Sequence, residues 1–276
     1  MARVIELVSY PIKGCAGTSL PETTLAEAGL AHDRSFMVVG EDGEFRTQRR
    51  DPVLALVRPR IDEDGRSLAL SAPGVEPVRI PVDLDAPRRD VVLFGKPYRG
   101  IDQGEVAAEW FSAVLGAPAR LVRVPSEHDR VTDGETPGTA GYADGHAVLV
   151  ASPGSLDLLN GRIAETGGEP LPMNRFRPNI VVGGWPRPHT EDLVRRIGIG
   201  AYGAELGYAK VCIRCAVTMV DQETGVPSGP EPIRTLAGYR RAFTGVAFGA
   251  KFAVTRPGQL AVGDEVHVTS WGESAA

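Results

Sequence analysis

Ser67-Leu68-Ala69-Leu70-Ser71-Ala72-Pro73-Gly74-Val75-Glu76-Pro77-Val78-Arg79-Ile80-Pro81-Val82 decides the fold class. Ser67–Ser71 and Val78–Val82 alternate as half-buried strands do, and Ala72-Pro73-Gly74 between them is turn chemistry. The same pattern spreads in both directions. Arg3–Tyr10, Ser35–Gly40, Val53–Arg58 and Asp90–Phe94 read as further strands, with turns at Glu41-Asp42-Gly43 and Asp62-Glu63-Asp64-Gly65. Six strands at near-even spacing predict a small barrel or sandwich over the first hundred residues. One helix follows: Asp102 and Glu105 have capping-box spacing, Val106, Ala107, Trp110, Phe111, Val114 and Leu115 form an apolar face, and Gly116 stops it.

The second half is mixed. Pro125–Gly141 is polar and turn-rich, and reads as a loop, linker or lid. His146–Ala151 and Asn179–Val182 read as strands, Ser155–Thr166 as a helix opened by Ser152-Pro153, and Pro232–Arg241 as a modest helix. Short irregular strands are expected around Val211–Asp221, and a turn with a strand hairpin over Arg256–Val268.

Composition bounds the function. The 276 residues are 42% hydrophobic and 24% charged, the mix of a globular protein with core enough to fold without staples. A net charge of −5 argues against a nucleic-acid surface or a basic membrane face. Three cysteines make no disulfide framework, and Glu6 breaks the apolar start, so no signal peptide is read. No run approaches the roughly 18 apolar residues of a membrane span. The expected compartment is the cytoplasm.

Cys212-Ile213-Arg214-Cys215 is the sharpest local signal. A redox dithiol of this spacing opens a helix, whereas a β-branched run from Ala216 follows here. A structural zinc needs two more soft ligands, and the other cysteine, Cys15, is remote. A soft-metal ligand is a further reading, and two buried cysteines acting as small apolar side chains are the plain one. Arg175 and Arg177 share one side of an extended segment, as a phosphate clamp or as solvated surface arginines. Lys13 stands in the Gly-containing loop Tyr10–Gly17. Asp33-Arg34 reads as a surface ion pair, and Asp144-Gly145-His146 offers an acid or base.

Taken in order, Tyr-Pro-Ile-Lys-Gly-Cys, Asp-Arg before a strand, Phe-Arg-Pro-Asn-Ile-Val, and Arg-Cys-Ala-Val-Thr-Met-Val-Asp followed by Thr-Gly resemble the MOSC family. The likeness runs from Val4 to Val268, ends in Pro-Gly-x-Leu-x-Val-Gly-Asp, and is nearest to members with an N-terminal β-barrel domain, the group of the mitochondrial amidoxime-reducing component. It implies a β-rich α+β fold: an N-terminal small β-barrel or sandwich domain over 1–120, packed on a MOSC β-barrel domain over 121–272 with a few short helices, and a tail over 273–276. It also implies a molybdenum cofactor (Mo-molybdopterin), with Cys215 as the protein ligand to molybdenum and Cys212 not implied. Lys13, Gly14, Arg34, Asp144, Gly145, His146, Arg177, Asn179, Ile213, Arg214, Cys215 and Lys251 match cofactor-contact positions. Asp144 or His146 is the expected proton source, and Asp129–Gly141 the expected substrate gate.

This chain departs from the family pattern at Lys13-Gly14, where Lys-Ser is common, and at Asp144-Gly145-His146, where Asp-Thr-Ser types occur. The function implied is reduction of N-hydroxylated small molecules (amidoximes, hydroxylamines, N-hydroxylated bases). Electrons would come from a separate ferredoxin-, flavodoxin- or cytochrome-type donor with its reductase. The alternatives are a non-redox carrier of the cofactor or of sulfur, with a persulfide on Cys215, and a Cys212–Cys215 dithiol oxidoreductase. Pyridoxal phosphate enters only through a partner sulfurase.

Overall fold

The computed structural model describes residues 1–276 apart from Glu63, Tyr202 and Thr244. The architecture is β-rich, as expected, and its largest sheet has nine strands. Across it run Thr18–Leu20, Arg3–Ser9, Ile180–Gly183, Val148–Ala151, Gly245–Arg256, Ala204–Arg214, Val194–Ile199 and Val266–Trp271, with Arg241–Ala242 beside Gly245–Arg256. The ends of the sheet approach each other: Val4 N–H donates to Asp264 at 2.9 Å and Gly263 N–H to Val4 at 2.8 Å. Closure of this kind removes exposed edges. Val4, Leu7, Val150, Ile197, Leu206 and Phe252 fill the interior. One pair, Val148–Ala151 with Ile180–Gly183, is parallel and is bridged by helix Pro153–Glu165, which Ser152 caps by accepting from the Ser155 N–H.

The first strand therefore belongs to the sheet of the second half, which corrects its place among the six early strands. The remaining early strands form a four-stranded sheet (Phe36–Val39, Arg120–Arg123, Lys96–Asp102, Arg88–Leu93) and a three-stranded one (Arg58–Ile61, Ser67–Ala72, Val75–Pro81). Phe36, Leu54, Leu68, Leu121 and Phe111 are among the residues of their shared core. Helix Gly104–Leu115 covers it, ending at Gly116 with φ +64°. Its start is not a capping box. Asp102 accepts the Gly104 N–H at 2.9 Å, while Glu105 turns to Arg120 at 2.8 Å. Val106, expected on the apolar face, is 56% exposed.

Other expectations fail for local reasons. Val53–Arg58 is a 3-10 turn over Pro52–Leu56, because Pro52 sets a helical φ at its first position while Leu54 and Ala55 turn inward. Val211–Arg214 ends an eleven-residue strand, and Ala216–Met219 coils into a 3-10 turn rather than extending. The helix at Pro232–Arg241 is only Ile233–Leu236. The C-terminal pair is no hairpin: Gly258–Ala261 pairs with Glu22–Ala26, and Val266–Trp271 with Val194–Ile199. Of the turn Asp62–Gly65, Glu63 lies outside the described residues. Pro125–Gly141 is pinned rather than free, since Glu135 and Thr136 N–H donate to Ala209 and Tyr208 at 2.9 and 3.0 Å.

Candidate functional site

Loops from both halves converge on a cleft of about 250 Å³. Eleven of the twelve matched positions line it: Lys13, Gly14, Arg34, Asp144, His146, Arg177, Asn179, Ile213, Arg214, Cys215 and Lys251. The twelfth, Gly145, lets one of them pass. Its φ of +143° favours glycine, and a Cβ there would stand 2.8 Å from Lys251 Nζ, pushing aside the amine that reaches the Asp144 carbonyl at 2.9 Å. No residue of Asp129–Gly141, the expected gate, lines the cleft.

Cys215 sits where a strand stops. The Cys215 carbonyl accepts from the Thr218 N–H at 3.0 Å and the Thr218 hydroxyl at 2.9 Å, so the 3-10 turn fixes the residue at the end of Ala204–Arg214. Cys212 stays inside that strand and is buried, with Arg214 Nη1 donating to its Sγ at 2.8 Å. Neither cysteine opens an α-helix, so the dithiol reading loses its structural support.

Asp33 and Arg34 are not a surface pair. They lie 2.7 Å apart with Asp33 buried, and Asp33 also accepts the Tyr10 N–H at 2.8 Å. Arg34 and Arg177 each stack a guanidinium 4.3 Å from the Tyr10 ring, both at positive φ. Arg175 and Arg177 do not act as a pair. Arg175 donates to Thr218 and Ser228 and so holds the turn after Cys215, while Arg177 faces the cleft. Asn179 also lines the cleft, but its amide is committed: it accepts from Arg34 and Leu149 and donates to Val8, at 3.0, 3.1 and 3.1 Å.

The electrostatics are lopsided. Lys13, Arg34, Arg49, Arg177, Arg214 and Lys251 line the cleft against the single carboxylate of Asp144, in a chain of net charge −5. Lys13 is buried, bonded to Asp144 and to the Tyr142 carbonyl, and faces the Phe94 ring at 4.7 Å. Desolvation raises the Asp144 carboxyl, but the charge and hydrogen bond of Lys13, with Lys251 and Arg34, outweigh it and hold the group well below the usual carboxylate range. Burial pushes His146 down to about 4, its Nε2 meets the Asp133 carbonyl, and its Nδ1 is buried without a partner. At neutral pH Asp144 is already ionised and His146 is uncharged. In the cleft as it stands neither therefore holds an extra proton.

Thr47, Gln48, Arg49 and Phe94 also line the cleft and escaped the sequence reading. Only the basic run Arg46, Arg49, Arg50 beside the Glu41-Asp42-Gly43 turn marks that loop in the sequence. Gln48 is 1% exposed, donates to the Gly14 carbonyl at 2.7 Å, and exchanges bonds with Gln222.

The donor set fits a metal that arrives with its own organic chelate and an anionic tail. Of the two cysteines that line the cleft, Cys212 is buried and engaged by Arg214, while Cys215 is partly exposed; Arg214 Nε and His146 Nδ1 are buried without protein partners. Among the described residues no three His, Cys, Asp or Glu side chains converge as a cage, so a metal at Cys215 brings its remaining ligands with it.

Comparison with known proteins places these features in context. A family model described as the MOSC N-terminal beta barrel domain matches residues 1–118, and one described as the MOSC domain matches residues 137–267. Mitochondrial amidoxime reducing component 2 of Rattus norvegicus is 36% identical, over 94% of this chain and 80% of that protein. Mitochondrial amidoxime-reducing component 1 of Homo sapiens is 32% identical, over 96% and 82%. Molybdenum cofactor sulfurase of Oryza sativa subsp. japonica is 29% identical over 88% of this chain but 31% of its own length.

Proposed function

This chain belongs to the MOSC family, and from that premise we propose a molybdenum-cofactor-dependent oxidoreductase that reduces N-hydroxylated small molecules (amidoximes, hydroxylamines or N-hydroxylated bases). The observation that carries the reading is Cys215, the partly exposed one of two cleft cysteines, in a lining that holds six basic side chains. The amidoxime-reducing relatives support the substrate class, and the sulfurase relative supports the cofactor.

When bound, the cofactor supplies the two-electron chemistry, in which N–OH takes up two electrons and two protons to give N–H and water. Cys215 would hold the metal through its sulfur, and Lys13, Arg34, Arg177, Arg214 and Lys251 would face the pterin and its phosphate, with Gly14, Gly145, Asn179 and Ile213 shaping the wall. Asp144 orients Lys13, whose own pKa burial lowers, and Lys13 Nζ is then a proton-bearing group at the cleft. Neutral His146 presents Nδ1 as an acceptor. A separate ferredoxin-, flavodoxin- or cytochrome-type protein would supply the electrons. No helix is long and apolar enough to cross a membrane among the described residues.

The test is elemental mass spectrometry of protein from a cofactor-competent host, followed by amidoxime reduction with a chemical reductant. About one molybdenum per chain with turnover supports the reading. The sulfurase relative favours a second one, a carrier of cofactor or sulfur, for which molybdenum would be bound without turnover.

A further inference from the structure

The loop that sequence reading missed is built to present one cation. Arg46 grips Asp51 through two bonds of 2.7 and 2.6 Å and closes the base of the loop. Thr47 accepts the Arg49 N–H at 3.1 Å, and Gln48 is buried between Gly14 and Gln222. Between these fixed points Arg49 stands exposed on the cleft wall, with no ion pair among the described residues.

Asp144, the carboxylate in the cleft lining, is engaged by Lys13, and Asp51 at the base of the loop by Arg46. Phe94, 45% exposed and braced edge-on by Phe45 at 4.9 Å, adds an apolar wall to the same cleft. A free guanidinium carried on a fixed loop, in one cleft with an aromatic wall, suits a flat molecule carrying an acidic group.

We propose that the substrates of this cleft carry a carboxylate or phosphate, and that Arg49 receives it at the rim. The inference rests on the oxidoreductase reading and deepens it: it names the substrate class and makes Arg49 the specificity residue.

The test compares benzamidoxime with its para-carboxylate and para-phosphonate analogues on the molybdenum-loaded protein. It uses wild type, Arg49→Gln, and Arg50→Gln, which removes the same charge from an exposed neighbour outside the cleft lining. The anionic analogues should show KM about five- to ten-fold below benzamidoxime, the worth of a charged hydrogen bond at a partly exposed site. Arg49→Gln should erase that difference with kcat within about two-fold, and Arg50→Gln should leave it in place. A preference confined to one of the two analogues identifies the acidic group.

Calorimetry with benzamidine and para-carboxybenzamidine, the corresponding amidine products, asks the same question without turnover. Equal affinities for the two amidines, equal KM values across the series, or equal effects of Arg49→Gln and Arg50→Gln would overturn the inference. Absence of molybdenum and of turnover would instead count against the oxidoreductase reading, and the amidine titration would still decide on Arg49.

Discussion

Gln48 and Gln222 exchange two amide hydrogen bonds, 3.0 Å in one direction and 2.9 Å in the other, although 174 residues separate them in the chain. Gln48 leaves the loop that presents Arg49, and Gln222 follows the turn that fixes Cys215. The pair thus ties the rim of the cleft to the thiol. Replacing either amide with methionine removes both bonds of the pair, although Gln48 keeps the Gly14 carbonyl and Gln222 the Val220 carbonyl, and should cost about 1–2 kcal/mol. Replacing both should cost less than the sum, with a coupling on the order of 1 kcal/mol in a urea-denaturation cycle. A coupling near zero would mean that the bonds are incidental.

The two cleft cysteines should part company under substitution. Cys215→Ala is expected to abolish bound molybdenum and to lower turnover by more than about a hundred-fold, while unfolding is little changed, since no side-chain bond is lost. Cys212→Ala should keep the metal and lose about 1–2 kcal/mol, because Arg214 Nη1 then lacks its sulfur acceptor. Metal content and thermal melts on both variants check this, and equal metal loss in the two would sink the assignment.

Asp33 is the counter-charge on which Arg34 depends. Asp33→Ala leaves a guanidinium with 13% of its side chain exposed near Arg177 and Lys13 without its ion-pair partner, held only by Asn179 and the Arg177 carbonyl, and should cost roughly 3 kcal/mol in denaturant. Arg34 and Asp33 replaced together, by methionine and leucine, should recover much of that stability while the cofactor site loses a cation.

Far from the cleft, Glu191 is fully buried and its carboxyl is pushed up to about 7 by that burial, although Ser152 and Ser155 donate to it at 3.0 and 2.7 Å. The folded state therefore binds the proton more tightly than the unfolded chain. Stability from this group is full below about pH 4.5 and falls as pH rises through about 7, by roughly 3 kcal/mol if the whole shift is realised. His189, pushed down to about 3 by burial, works in the opposite sense below about pH 6.5. The clean readout is thus the difference between wild type and Glu191→Gln across pH, which should grow in favour of the variant from pH 5 to 8. A flat difference would place the carboxyl near its ordinary value.

Much of the site is legible in sequence because its residues sit in short ordered motifs, and motif order survives whatever the backbone does between them. What sequence cannot display is burial. Asp33-Arg34 reads as a surface pair since nothing local says that Tyr10 and Asn179 will close over it. Arg175 and Arg177 look equivalent, yet positive φ at Arg177 sends the two side chains to different tasks. Thr47–Arg49 is missed because its importance lies in partners from elsewhere, Gly14 and Gln222. Ala216–Met219 reads as a strand from its β-branched residues, and tertiary context coils it instead.

The strand Arg3–Ser9 pairs with Ile180–Gly183, so during synthesis it waits for the chain's middle before it can dock on that side. Until then its apolar face stays open, and closing so long a span is entropically slow. During synthesis the early strands, held together by Phe36, Leu54 and Phe111, would mature first. The cleft would be among the last features to appear, after Lys251 has joined the growing polypeptide. A nascent chain halted before residue 180 would thus carry Lys13 and Arg34 without Cys215, Arg214 or Lys251, so the cleft cannot exist in part and is assembled only once the whole sequence is in place.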